Sequence, residues 1–208
     1  MRYDRDKHRR RSVRLRGYDY GRAGAYFVTL CAHDRASLFG EIVDGVMRLN
    51  DLGRVVDSEW LKTPRMRLQV ELDEYVVMPN HFHAILVVVD MGRGVLQYAP
   101  TLRSPSRTVG AIVRGFKSAV TKRINQIRQT PGVAVWQRNY HEHVIRSEGE
   151  LVRIRQYIAD NPAQWELDRE NPAVRETERM GDRSLAGRGV SPYAPTDDIE
   201  TIFGGVRP

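Results

Sequence analysis

Cysteine is almost absent from this chain: Cys31 is the only one in 208 residues. An intramolecular disulfide is therefore excluded, and so is any zinc module built on several thiolates. Long apolar runs are missing as well. None approaches the roughly 18 residues of a membrane span, and the arginine-rich beginning lacks the apolar core of a signal peptide. Lysine is scarce, with only Lys7, Lys62, Lys117 and Lys122 among 33 basic side chains. Acid is missing from one long stretch, since residues 91–139 contain no Asp or Glu. What remains is ordinary globular material, 41% hydrophobic and 28% charged. Its length suits one domain with extensions or two small ones. A soluble protein of a reducing compartment, the cytoplasm, is expected, with no membrane partner.

The formal net charge of +7 conceals a segregation. Residues 1–22 hold nine basic and three acidic groups, residues 91–139 nine basic and none, and the rest of the chain is net acidic. A scattered +7 would need no explanation beyond arginines on solvated helix faces, but such faces intersperse both signs. An acid-free run of 49 residues points instead to a polyanion. Arginine's planar donor fork suits phosphate better than an ammonium does, so nucleic acid is the expected partner. The candidates for that contact are Arg9, Arg10, Arg11, Arg14 and Arg16 in the first segment, and Arg114, Lys117, Lys122, Arg123 and Arg138 in the second.

Along the chain, residues 1–22 read as a basic, irregular N-terminal arm. The aromatic and β-branched run 25–32 predicts a buried strand. Asp44-Gly45, between residues 41–43 and 46–49, is a short hairpin signal. Asn50 is placed to cap a helix carrying Leu52, Val55, Val56, Trp60 and Leu61, stopped by Pro64. Residues 68–77 and 81–89 read as strands on either side of a break at Pro79-Asn80. Residues 92–106 form a linker containing Gly, Pro and Ser. Val109, Ile112, Val113, Phe116, Val120 and Ile124 then recur at helical spacing, and residues 135–145 look strand-like. Ser147-Glu148-Gly149-Glu150 is a capping-box pattern opening a helix with Leu151, Ile154, Tyr157 and Ile158 on one face. Trp165 packs a short return segment after Pro162, and residues 169–208 read as a flexible C-terminal tail. This order of elements predicts an α+β fold, a central antiparallel-rich sheet with helices packed on it.

Two patterns are set aside. Gly92-Arg93-Gly94-Val95-Leu96-Gln97-Tyr98-Ala99-Pro100-Thr101 recurs at residues 187–196 with eight of ten positions matching. Two copies are too few for a solenoid. A local duplication without structural meaning is the simpler account, and a tail that can occupy the same groove as the first copy is the other. The segment from Gly110 to Ser118 resembles a phosphate-binding loop, but Phe116 intrudes before Lys117 and the pattern is helical. No nucleotide cofactor is expected.

The chemistry rests on histidines and one tyrosine. His81 and His83 are two apart on a predicted strand, so both imidazoles share a face while Phe82 points to the other. Two neutral imidazoles so placed can chelate one divalent metal. Hydrogen-bonded core histidines are the alternative, and two on one face of an otherwise aliphatic strand favour ligands. Tyr157 and Asn161 are four apart on one helix face, Asn161 at its end before Pro162. On spacing alone a half-buried tyrosine and a helix cap explain them. His141-Glu142-His143 is a second His-x-His, with His143 a candidate auxiliary group for proton transfer or DNA contact.

Three separated motifs then resemble a known family. They are Met78-Pro79-Asn80-His81-Phe82-His83, Trp136-Gln137-Arg138-Asn139-Tyr140, and Ile154-Arg155-Gln156-Tyr157-Ile158 followed by Asn161, Pro162 and Trp165. In this order they are similar to the HUH single-tyrosine transposases, in particular the REP-associated tyrosine transposase branch. Arg14-Leu15-Arg16-Gly17-Tyr18-Asp19-Tyr20 followed by Tyr26-Phe27-Val28-Thr29 looks like the same branch. The resemblance covers about residues 10–168 and leaves 169–208 outside. It implies a ferredoxin-like HUH domain over residues 23–168, with His81, His83 and Asn161 binding Mg²⁺ or Mn²⁺ and Tyr157 as nucleophile. It further implies a metal-dependent endonuclease and strand transferase that cuts single-stranded DNA beside a hairpin or REP-type palindrome through a 5′-phosphotyrosine. Such a transposase would be associated with the bacterial nucleoid and act as a monomer or a homodimer. Two other readings are a DNA-binding regulator of the same fold that no longer cleaves, and a nickase of the replication-initiator or relaxase kind. The intact His81, His83, Tyr157 and Asn161, the short length and the lone helix tyrosine favour the transposase.

Overall fold

The computed structural model describes residues 22–90, 108–168 and 170–174. Arg9, Arg10, Arg11, Arg14 and Arg16, the 92–106 linker and both copies of the repeat lie outside the described residues. The described elements form a four-stranded sheet in the order β4-β5-β1-β6, every neighbouring pair antiparallel. These strands are β1 (Gly24–Cys31), β4 (Val70–Val77), β5 (His81–Val88) and β6 (His141–Ile145). A separate hairpin joins β2 (Gly40–Val43) and β3 (Val46–Leu49). Its turn puts Asp44 at φ 53° and Gly45 at φ 73°, the left-handed pair a two-residue hairpin loop requires.

Strand register decides which side chains share a face. Thr29 lies opposite both His83 and His141, and Phe27 opposite both Ile85 and His143. These side chains form the front face. The alternate set, Tyr26, Val28 and Leu30 with Phe82, Ala84 and Leu86, forms the back face and is fully buried. Helix α1 (Asp51–Leu61) and helix α3 (Val109–Arg128) cover the back. Trp60 anchors this layer, its ring centroid 5.0 Å from Phe82 and 5.2 Å from Phe116. Each such side chain removed from water contributes about 1.5–3 kcal/mol, which makes the back face the main core.

The front face is covered by α4 (Glu148–Asp160), whose Ile154 and Ile158 pack on Phe27 and Ile85. The capping pattern forms, with Ser147 Oγ accepting from the Glu150 N–H at 3.2 Å. Glu150 reaches back to the Arg146 N–H at 2.6 Å and to His143 Nε2 at 2.7 Å. Near its other end, Arg155 makes a two-pronged contact with Asp73, 2.8 and 2.6 Å. Asp73 is presented by a register shift in β4 between Leu72 and Tyr75.

The α+β architecture is the expected one, and Asn50 caps α1 through the N–H groups of Leu52 and Gly53. Two expectations change. Pro64 does not stop α1, which ends at Leu61; it opens the short helix α2 (Thr63–Met66), a first-turn position where its missing N–H costs nothing. The strand expected over residues 135–145 is confined to 141–145, with one isolated bridge between Ala32 and Trp136. At the interruption the Lys117 ammonium, rather than a neighbouring strand, donates to the carbonyls of Gln137, Arg138 and Asn139.

Candidate active site

β4 and β5 are joined by a tight turn at Pro79-Asn80, closed by the Met78 N–H donating to the His81 carbonyl at 2.9 Å. The turn docks on the end of β1 through the Ala32 N–H, which donates to Asn80 O at 2.8 Å. His81 and His83 therefore emerge side by side on the front face, ring centroids 4.5 Å apart, 0% and 3% exposed. Phe82 points into the back core, as its alternation requires.

The protonation of His81 follows from Asn80. The Asn80 amide nitrogen donates to two carbonyls, Arg35 O at 3.2 Å and Glu170 O at 2.6 Å, which fixes the amide orientation. Its Oδ1 then faces His81 Nδ1 at 2.9 Å and can only accept. The His81 proton sits on Nδ1, and Nε2 presents its lone pair. His83 is held the same way, with Nδ1 2.8 Å from Thr29 Oγ1 and Nε2 3.3 Å from the Tyr157 hydroxyl. With the phenol donating to Nε2, the His83 Nδ1–H donates to Thr29. Burial pushes His81 down to about 3, against a counteracting contact with Asn161 and assisted by the Arg35 charge. Burial, with repulsion from His81 and His141, holds His83 well below the usual imidazole range. Both rings are neutral near pH 7.

Tyr157 is half-buried, its ring edge-on to Phe27 and to His83 at centroid distances of 6.1 and 5.3 Å. Asn161 caps α4 one turn further on and is buried against His81. The four expected site residues are thus brought together. Among the described residues no three His, Cys, Asp or Glu side chains form a group able to hold a metal; the set here is two imidazoles and an amide. Its donor atoms nonetheless fit a cation. His81 Nε2 and Asn161 Oδ1 are both buried without a well-formed hydrogen bond, although the amide lies close enough to favour the protonated ring. Buried polar atoms left in that state ordinarily have a partner.

Three contributors are not singled out by sequence pattern. Thr29 and Asn80 stand in the quoted motifs without a role, which only the β1–β5 register and the turn geometry supply, and Asp168 needs the return segment. That segment brings Asp168 Oδ2 to 3.7 Å from His81 Nε2 and the Trp165 ring to 6.0 Å from His81. Glu170 continues it, paired with Arg35.

His143 is engaged with Glu150 in α4's first turn and lies opposite Phe27 in the β1–β6 ladder. The basic candidates of the second segment separate. Arg123 pairs with Glu59 at 2.6 Å, and Arg114 is exposed near Arg67. Lys117 is committed to backbone carbonyls, with burial pushing it down to about 8. Lys122 and Arg138 line an open cleft beside α3.

No protein-family model matches the chain. A solved structure described as a REP-associated tyrosine transposase bound to a REP hairpin superposes with a TM-score of 0.52 at 19% identity, covering 89% of this chain and 95% of that one. An uncharacterized protein of Haemophilus influenzae (strain Rd) is 40% identical over 173 residues, 80% of this chain and 95% of the relative. The chain therefore belongs to the same family as the Haemophilus influenzae protein, on a fold shared with the REP-associated tyrosine transposase.

Proposed function

We propose that this protein is a transposase-type endonuclease and strand transferase that cuts single-stranded DNA beside a hairpin, with Tyr157 as nucleophile. The observation that carries the reading is the Tyr157 hydroxyl 3.3 Å from His83 Nε2, beside a paired histidine and a buried amide with unsatisfied donor atoms. The shared fold supports the substrate class, because the neighbour was solved on a REP hairpin.

Tyr157 attacks phosphorus: its phenolic proton leaves, the new O–P bond forms, and the bond from phosphorus to the 3′ oxygen breaks. That oxygen takes up a proton, leaving a 3′-OH and a 5′-phosphotyrosine. One phosphate ester is exchanged for another, so resealing or transfer needs no nucleotide cofactor. A phenol with an ordinary pKa of about 10 is a weak nucleophile near neutrality and needs activation. His81 through Nε2 and Asn161 through Oδ1 would hold Mg²⁺ or Mn²⁺, joined by His83 through Nε2 once the Tyr157 hydroxyl turns from that nitrogen toward the phosphate, and two nitrogen donors favour Mn²⁺. Such an ion, when bound, supplies charge stabilisation at the phosphate. Phe27 and the packing of α4 fix the phenol over the histidines.

The test is incubation of the full chain with a labelled, hairpin-bearing single strand and Mn²⁺. A protein–DNA adduct that survives denaturation, and disappears in Tyr157→Phe while DNA binding is retained, is the expected result. Absence of an adduct across varied hairpins would leave a DNA-binding protein without cleavage.

A further inference from the structure

The chain that leaves Asn161 returns to His81. A single 3₁₀ turn, Trp165–Leu167, reverses its direction, and the Asp168 N–H closes that turn on Trp165 O at 3.2 Å. Three further contacts pin the segment. Asn80 Nδ2 donates to Glu170 O at 2.6 Å, the Glu170 carboxylate pairs with Arg35, and Asn171 Nδ2 donates to Trp165 O at 2.9 Å. All of these are contacts within the protein, so the fold itself places Asp168.

The carboxylate has a defined orientation. Asp168 Oδ1 accepts from the Glu170 N–H at 2.7 Å, and Oδ2 faces His81 Nε2 at 3.7 Å, with the side chain only 12% exposed. An ion pair would account for the contact if His81 carried two protons. Asn80 Oδ1 holds one proton on Nδ1, and the ring is wholly buried, where a second proton and its charge are costly. Oδ2 therefore faces a lone pair. The Asn161 carboxamide oxygen, buried against the same ring, is a third acceptor. Acceptors that converge in this way need a donor or a cation between them.

Size and charge both favour the cation. Two donors on one small ion, each about 2.1 Å from it, can stand no further apart than about 4.2 Å, and the 3.7 Å separation meets that limit. Imidazoles and a carboxamide are neutral, whereas Mg²⁺ and Mn²⁺ are hard cations that favour carboxylate oxygen. Resting on the cleavage reading above, we propose that Asp168 is the anionic ligand of the divalent cation, binding through Oδ2 beside His81 Nε2 and Asn161 Oδ1. It supplies the negative charge that the other donors lack. It also completes a three-donor set while the Tyr157 hydroxyl still faces His83 Nε2.

The experiment titrates Mn²⁺ into chelator-treated full-length protein by isothermal titration calorimetry, with thermal melting in parallel. Asp168→Asn keeps the acceptor for the Glu170 N–H and removes only the charge. Its Mn²⁺ affinity should fall about ten-fold or more, and Asp168→Ala should lose at least as much. The metal-free melting temperature of Asp168→Asn should stay within about 2 °C of wild type, while the rise on adding Mn²⁺ shrinks. A carboxylate that only pairs with a charged His81 gives the opposite pattern, a lower metal-free melting temperature with unchanged Mn²⁺ affinity. That pattern, or wild-type protein that binds no Mn²⁺, would overturn the proposal. Adduct formation on a hairpin-bearing strand separates the two readings. Mn²⁺ affinity that depends on Asp168 without any adduct would sink cleavage and keep the ligand; an adduct with Mn²⁺ affinity indifferent to Asp168 would do the reverse.

Discussion

At the scale of the residue, what matters about His81 and His83 is which nitrogen each presents. Both rings are anchored through Nδ1, one on Asn80 Oδ1 and one on Thr29 Oγ1, so both Nε2 atoms belong to the candidate site. If these anchors set the donor geometry of a cation site, removing either should weaken it about 10–100-fold. Thr29→Val keeps shape and removes the acceptor. Its Mn²⁺ affinity by isothermal titration calorimetry should fall in that range, and Thr29→Ser should restore it. Asn80→Ala should do the same at His81, with an added stability loss of about 1–3 kcal/mol because two carbonyls lose their donor. Unchanged Mn²⁺ affinity in Thr29→Val would show that the anchor is irrelevant. The histidines were legible in the sequence from their spacing alone. Their anchors were not, because hydrogen-bond partners 54 residues apart meet only through strand register.

At the scale of the element, α4 carries Tyr157 and is fastened by its cap, its apolar stripe and the Asp73–Arg155 pair. The hydrogen bond from Arg155, opposed by partial burial and helped by the Glu74 N–H, holds the Asp73 carboxyl below its usual range. A depressed carboxylate contributes stability that is present above its unfolded pKa of about 3.9 and lost as pH falls through the folded value. The melting-temperature gap between wild type and Asp73→Asn should therefore be steady from pH 7 to about 5 and close below about 4. A gap that persists at pH 3 would assign the contact to packing instead. The helix itself was readable, since the cap and the 3.6-residue apolar period are local signals. The fastening was not, because Asp73 faces α4 only through an irregularity in β4. Residues 135–145 differ for a related reason: their composition favours a strand throughout, but at 137–139 the carbonyls meet a lysine 20 or more residues away, a contact no local pattern reveals.

At the scale of the whole molecule, the described part of the acid-free segment, residues 108–139, is not one uniform phosphate-binding surface. The fold spends Lys117 on backbone carbonyls and Arg123 on Glu59, and it leaves Lys122 and Arg138 at an open cleft. DNA affinity should fall steeply with salt, and the slope of log affinity against log salt should shrink by about one for each phosphate-contacting cation removed. Arg123 should behave differently from the cleft cations. Its partner Glu59 is buried; burial alone would raise that carboxyl, but hydrogen bonds from Lys62 and Arg123 outweigh it and hold it low. Arg123→Gln leaves Glu59 with Lys62 as its remaining cation, so it should cost about 1 kcal/mol, or about 2–4 °C in melting temperature. The DNA salt slope should stay unchanged in that variant, while Lys122→Gln and Arg138→Gln should each reduce it by about one with little effect on melting. A reduced slope in Arg123→Gln would mean that the arginine leaves Glu59 to meet phosphate, so that α1 and α3 as well as the cleft lie under the DNA.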